Sequence, residues 1–68
     1  MAAPVYKKIQ LVGTSPQSFS EAAANAVAKA AETLRNMSWF EVVEQRGSIS
    51  DGKIEQFQVT VDIGFRVD

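Results

Sequence analysis

From Phe57 to Val67 the chain alternates without interruption: Phe57, Val59, Val61, Ile63, Phe65 and Val67 are apolar, and Gln58, Thr60, Asp62, Gly64 and Arg66 between them are not. Successive side chains of a strand point to opposite faces, so this pattern predicts a strand over 53–67 with one buried face. Upstream, Ser50-Asp51-Gly52-Lys53 carries the Asp-Gly pair of a type I′ hairpin turn. A partner strand is expected over 39–49. A further apolar, β-branched run predicts a strand over 5–12, ended by Gly13 and by Thr14-Ser15-Pro16.

Between these strands lies a helical pattern. Ser18 and Glu21 have capping-box spacing, and Phe19, Ala23, Ala26, Ala30 and Leu34 recur at three- and four-residue steps. The helix is expected to start near residue 18 and end near residue 36. Its alanines favour the helix and leave a smooth face that a sheet can approach closely. The fold class is α+β, in the order β-α-β-β, with a three-stranded antiparallel sheet and one helix on one face. No linker or repeat interrupts it, so residues 1–68 read as a single domain.

A chain of 68 residues is marginal alone, and disulfides, metals or oligomerisation are the usual remedies. Cysteine and histidine are both absent, which removes disulfides, thiolate nucleophiles, the common zinc sites and imidazole catalysis. Oligomerisation is left, and 46% apolar residues suit it. Seven Lys and Arg against eight Asp and Glu give a net charge of −1, no footprint for nucleic acid. No charged leader precedes an apolar run at the N-terminus, and no stretch reaches the ~20 apolar residues that span a bilayer. A cytoplasmic protein without membrane or nucleic-acid partners is expected.

One helix covers one face of such a sheet. With a two-residue turn, Ser50 faces Lys53; Phe40 and Val42 then join Val61 and Ile63 under the helix. Trp39, Glu41, Val43 and Gln45 share the other face with Gln58, Thr60, Asp62 and Gly64, and a single β-bulge would invert part of this set. That face carries a tryptophan and few strong charges, so another subunit is expected to cover it. Trp39 and Gln58 stand six residue steps apart along it, roughly 20 Å at ~3.4 Å per residue. Both can touch one small ligand only if they come from different subunits.

Val12-Gly13-Thr14-Ser15, Leu34-Arg35-Asn36 leading into Trp39-Phe40-Glu41-Val42, Gly47, Asp51-Gly52, Phe57-Gln58-Val59 and Gly64-Phe65-Arg66 together resemble the dodecins. The match runs over nearly the whole chain, in order and without large gaps. The resemblance implies a hollow homo-dodecamer that binds flavin (FMN, riboflavin or FAD) for storage, buffering and photoprotection, and does so without turnover. It implies Trp39 as the aromatic that stacks on the isoalloxazine ring and Gln58 as the amide at the ring's pyrimidine edge. It places Arg46 and Arg66 near the flavin tail or another bound nucleotide such as coenzyme A.

Each residue also has a plainer reading. Trp39 alone reads as a core or interface tryptophan, and Gln58 as a polar residue on an open strand. Arg46 fits a surface position, an ion pair with Glu44 or Asp62 of a neighbour, or a fork onto phosphate. Arg66 fits a structural ion pair, and Lys7 and Lys8 a solvated strand. Glu41 and Asp62 should face each other across the hairpin, yet no nucleophile or metal motif accompanies them, so an enzyme is not expected. Thr14 and Ser15 fit a local cap better than an anion site. The alternative to flavin binding is a self-assembly module with no small ligand.

Overall fold

A computed structural model describes residues 3–68. Strand β1 (Tyr6–Ser15), helix α1 (Phe19–Ala30), strand β2 (Met37–Ser50) and strand β3 (Lys53–Arg66) form the expected β-α-β-β order. The sheet is antiparallel with β3 in the middle, in the order β1-β3-β2. The strand with the cleanest alternation is thus the one paired on both edges.

Strand β1 runs past the expected break at Gly13. Gly13, Thr14 and Ser15 keep their ladder partners Val59, Gln58 and Phe57, which carries the strand up to Pro16. Gly13 is where the helix rests. A Cβ there would strike the Ala22 carbonyl and the Ala26 methyl, so only glycine permits this approach. The helix buries Ala22, Ala26 and Ala30 against Val59, Val61 and Ile63, with Ile9, Leu11, Ala23, Val27, Leu34 and Met37 packed around them. Ala22 thus takes the central place expected of Ala23, and Phe19 stands at the margin, edge-on to Phe57 with ring centroids 4.9 Å apart.

The cap departs from the reciprocal box. Ser18 Oγ accepts from the Glu21 amide at 3.0 Å as expected, but the Glu21 carboxylate accepts from the Ser15 hydroxyl at 2.8 Å. Ser15 Oγ in turn accepts from the Gln17 amide at 2.9 Å. This buried serine knits the strand end to the helix start, the local role preferred over an anion site. The helix ends at Ala30, six residues short of expectation. Its last amides bond back at shorter spacing (Glu32 N to Lys29 O, Thr33 N to Ala30 O), and Asn36 takes φ 64° to send the chain into β2.

The hairpin turn is as expected, with Asp51 at φ 53° and Gly52 at φ 73°. Ser50 faces Lys53 and Ile49 faces Ile54; then the register slips, so that Ser48 faces Gln56, and slips back around Val43. Between the two irregularities β2 is turned over. Gln45, expected on the open face opposite Gln58, instead lies beside Val59 on the helix side, and Arg46 takes its place opposite Gln58. Beyond Val43 the expected pairs return: Glu41 with Asp62, Phe40 with Ile63, Trp39 with Gly64.

A second correction concerns Phe40 and Val42. They do share a face with Ile63 and Val61, but α1 packs over β1 and β3 and barely reaches β2. Phe40 and Val42 are left 52% and 47% exposed. With Phe19, Ala23, Val27 and Gln45 they line an open apolar groove of about 760 Å³ between the helix and the edge strand. Among the described residues no helix is long and apolar enough to cross a membrane.

Candidate functional site

The helix-free face of the sheet carries two clusters, one toward each end of β3. At one end the ladder aligns Lys8, Gly64 and Trp39 in one row, and Gln10, Asp62 and Glu41 in the next. At the other it aligns Thr14, Gln58 and Arg46.

Trp39 lies flat. A Cβ on Gly64 would fall among the six-membered-ring atoms of the indole, so the glycine is what lets the ring settle onto the strand beneath it. The indole N–H donates to Glu41 Oε1 at 3.1 Å. Tyr6 flanks the ring at a centroid distance of 5.1 Å and a tilt of 60°. One face of the indole rests on the sheet, its N–H edge and one flank are held, and it remains 39% exposed. An open face of a broad, polarisable ring is a surface on which another flat ring can stack.

Glu41 is itself fixed. Lys8 Nζ stands 3.0 Å from Glu41 Oε1 and 3.6 Å from Asp62 Oδ2, and Asp62 Oδ1 accepts from Gln10 Nε2 at 2.9 Å. The hydrogen bond from Lys8, then that from the Trp39 indole, hold the Glu41 carboxyl below its ordinary range. The same carboxylate raises Lys8. Glu41 and Asp62 face each other as expected, but the Lys8 ammonium pairs with both, which makes this an ion-paired cluster rather than an acid–base pair.

At the far end Arg46 Nε donates to Gln58 Oε1 at 2.7 Å, and Gln58 Nε2 donates to Gln56 Oε1 at 2.9 Å. The carbonyl of Gln58 is engaged by a cation, and one amide hydrogen remains for a further acceptor. Arg66 belongs to the tryptophan end. It pairs with Tyr6 across the ladder and borders a shallow recess with Asn36, Met37 and Ser38. Among the described residues it forms no ion pair; the clamp at this corner is made by Arg35 on Asp68 at 2.8 Å.

The four expected ligand residues therefore fall into two pairs, Trp39 with Arg66 and Gln58 with Arg46. Gln58 and Gly64 are six steps apart on β3, so the pairs stand about 20 Å apart. Sequence reasoning put Gly64 on the face of Trp39 but passed over Tyr6 and Lys8 as parts of the tryptophan cluster. Gly64 was visible as a glycine in the polar phase of β3, where close approach is its usual meaning. Lys8 had no such signal. Among the described residues no three acidic groups gather closely enough to hold a metal ion.

Comparison with known proteins agrees with this architecture. A family model described as Dodecin matches residues 5–68. Dodecin of Thermus thermophilus is 45% identical over 64 residues, covering 94% of this chain and 93% of the relative. A protein named calcium dodecin, from Mycobacterium tuberculosis, is 36% identical over 64 residues, with 93% and 89% covered. The solved structure of dodecin from Streptomyces coelicolor superposes with a TM-score of 0.95 at 43% identity, over 100% of this chain and 97% of that one. The match takes in every strand and the helix, which implies dodecameric self-assembly and a binding protein rather than an enzyme: the chain belongs to the dodecin family.

Proposed function

We propose that this protein binds a flavin, FMN or riboflavin, and serves to store, buffer and shield it. The observation that carries this reading is the Trp39 indole, laid flat on Gly64 with its outer face uncovered. An isoalloxazine is flat and electron-poor, the complement of an indole face; stacking of bases on aromatic side chains is worth on the order of 1–3 kcal/mol. Gln58 supplies an amide suited to the pyrimidine edge, with Arg46 beside it. Because Trp39 and Gln58 stand about 20 Å apart in one chain, two copies bring them to one ligand. Arg46 and Arg66 are the cations we assign to a ribityl phosphate. Nothing in the comparisons supports a second nucleotide such as coenzyme A.

The test is a titration of riboflavin and FMN. A nearby indole can donate an electron to the excited flavin, so flavin emission should be quenched on binding and restored in Trp39→Ala. Unchanged emission at micromolar protein and flavin would defeat the proposal. The apolar groove at Phe40 and Val42 favours a second reading, self-assembly with no small ligand. Loss of assembly in Trp39→Ala, in a protein that never quenched flavin, would establish that reading instead.

A further inference from the structure

An indole N–H on an open sheet face has water available and needs no protein acceptor. Here it has one: Glu41, two residues along the same strand and on the same face, accepts at 3.1 Å. A glutamate on an open strand is ordinarily free to change rotamer. This one is held by Lys8 Nζ at 3.0 Å, reaching across β3 from β1. Lys8 is steadied in turn by Asp62 at 3.6 Å, and Asp62 by Gln10 at 2.9 Å. A chain of contacts thus runs over all three strands and ends on the ring nitrogen. Exposed ion pairs of this kind add little to folding. Their common product is the direction of one side chain.

We propose that Glu41, aimed by Lys8, is a positioning residue for Trp39, holding the indole flat on Gly64 so that its outer face meets a planar ligand already oriented. The ligand half of this statement rests on the flavin reading; the indole half does not. A ring ordered in advance spares the ordering of a side chain on binding, an advantage of about three- to ten-fold in affinity. The charged and titratable groups facing this spot are Tyr6 and Lys8 from β1, Glu41 from β2, and Asp62 and Arg66 from β3. The helix lies on the opposite face. Acid should open the latch as Glu41 takes up its proton, below the ordinary carboxylate value of 4.5.

The experiment uses the assembled full-length protein and its single tryptophan. Near-ultraviolet circular dichroism reports indole order without ligand, and riboflavin affinity is measured separately. Glu41→Gln keeps an oxygen that can accept from the indole, Glu41→Ala removes it, and Lys8→Met frees the carboxylate. The expected result is loss of the indole dichroism and about three- to ten-fold weaker riboflavin binding in Glu41→Ala. Lys8→Met should show a smaller loss of both, and Glu41→Gln, neutral at every pH, a spectrum like that of acidified wild type with no acid transition of its own. Wild-type dichroism in both Glu41→Ala and Lys8→Met would overturn the proposal. So would an acid transition that persists in Glu41→Gln. Should Glu41→Ala not fold, Lys8→Met and the pH series decide alone. If riboflavin binds no variant, wild type included, the flavin reading fails while the dichroism still judges the latch.

Discussion

At Gly64 the absence of one carbon decides what the open face can do. Phe57, Val59, Val61, Ile63 and Phe65 point toward the helix, and the glycine sits in the opposite phase, under Trp39. Gly64→Ala would press a methyl into the face of the indole ring. The ring must lift, and since Gly64 is buried the crowding should cost about 1–3 kcal/mol. The expected outcome is a lower unfolding midpoint in denaturant together with greater access of acrylamide to Trp39. A variant with wild-type quenching would mean the ring does not rest there. The Lys8–Glu41 pair makes a second prediction, about pH. Glu41 is held below its ordinary 4.5, so whatever the pair contributes is present above that value and lost as pH falls through the folded one. Lys8 is held above 10.5, so the contribution is present below that value and lost as pH rises through the folded one. Between these limits the difference in thermal midpoint between wild type and Lys8→Met should be constant. It should shrink only at the two extremes, and in strong salt. A difference that grows on acidification would contradict this pairing.

Strand β3 could be read from its alternation because it is paired on both edges and covered on one face, so pattern and environment agree along its length. The hairpin turn was equally plain, since Asp51 and Gly52 both take the positive φ that the motif demands. Strand β2 was legible at its ends and not in its middle. Val43 and the slip near the turn act in opposite senses, so Trp39, Glu41 and Phe40 keep their expected partners while Gln45 and Arg46 exchange roles. Nothing in a run such as Val42-Val43-Glu44-Gln45 marks which residue will be the extra one, because every candidate tolerates extended backbone. The separation of Trp39 from Gln58 does not depend on this, since Gly64, the ladder partner of Trp39, stands six steps from Gln58 on β3. The helix was misjudged in length because Leu34 continues the apolar spacing even though the chain has already turned. Its seating, by contrast, depends on Gly13, which the sequence offered only as a break. Gly13→Ala should push α1 away from β1 and lower unfolding free energy by about 1–3 kcal/mol. Denaturant melts would show this. The tryptophan cluster, on the far face of the sheet, should keep its near-ultraviolet signal.

The molecule as a whole is too extended to be finished. A compact chain of this length has a radius of gyration of about 11 Å, whereas this one has 14.3 Å and measures 57 × 20 × 13 Å. Its surface is 4922 Å², against about 4,200 Å² for a compact monomer of its mass. The excess is on the β2–β3 arm, where Ile49 and Ile54 at the tip are 75% and 67% exposed and Phe40 and Val42 line the groove beside the helix. The buried core, Ala22, Ala26, Ala30, Val59, Val61 and Ile63 among the described residues, is small-sided except for three aliphatic residues of β3. Such a core leaves little stability to a lone subunit, so folding and assembly should be one equilibrium, with a thermal midpoint that rises with protein concentration. Val42→Glu tests where the contact lies. The position is half exposed in one subunit, so a carboxylate there costs a monomer little. Buried between subunits, an unpaired charge costs several kcal/mol and prevents association. Sedimentation should therefore show the variant dissociated at concentrations where wild type is assembled, its midpoint lowered and no longer dependent on concentration. An assembled Val42→Glu protein would show that the groove faces solvent and that the subunits meet elsewhere.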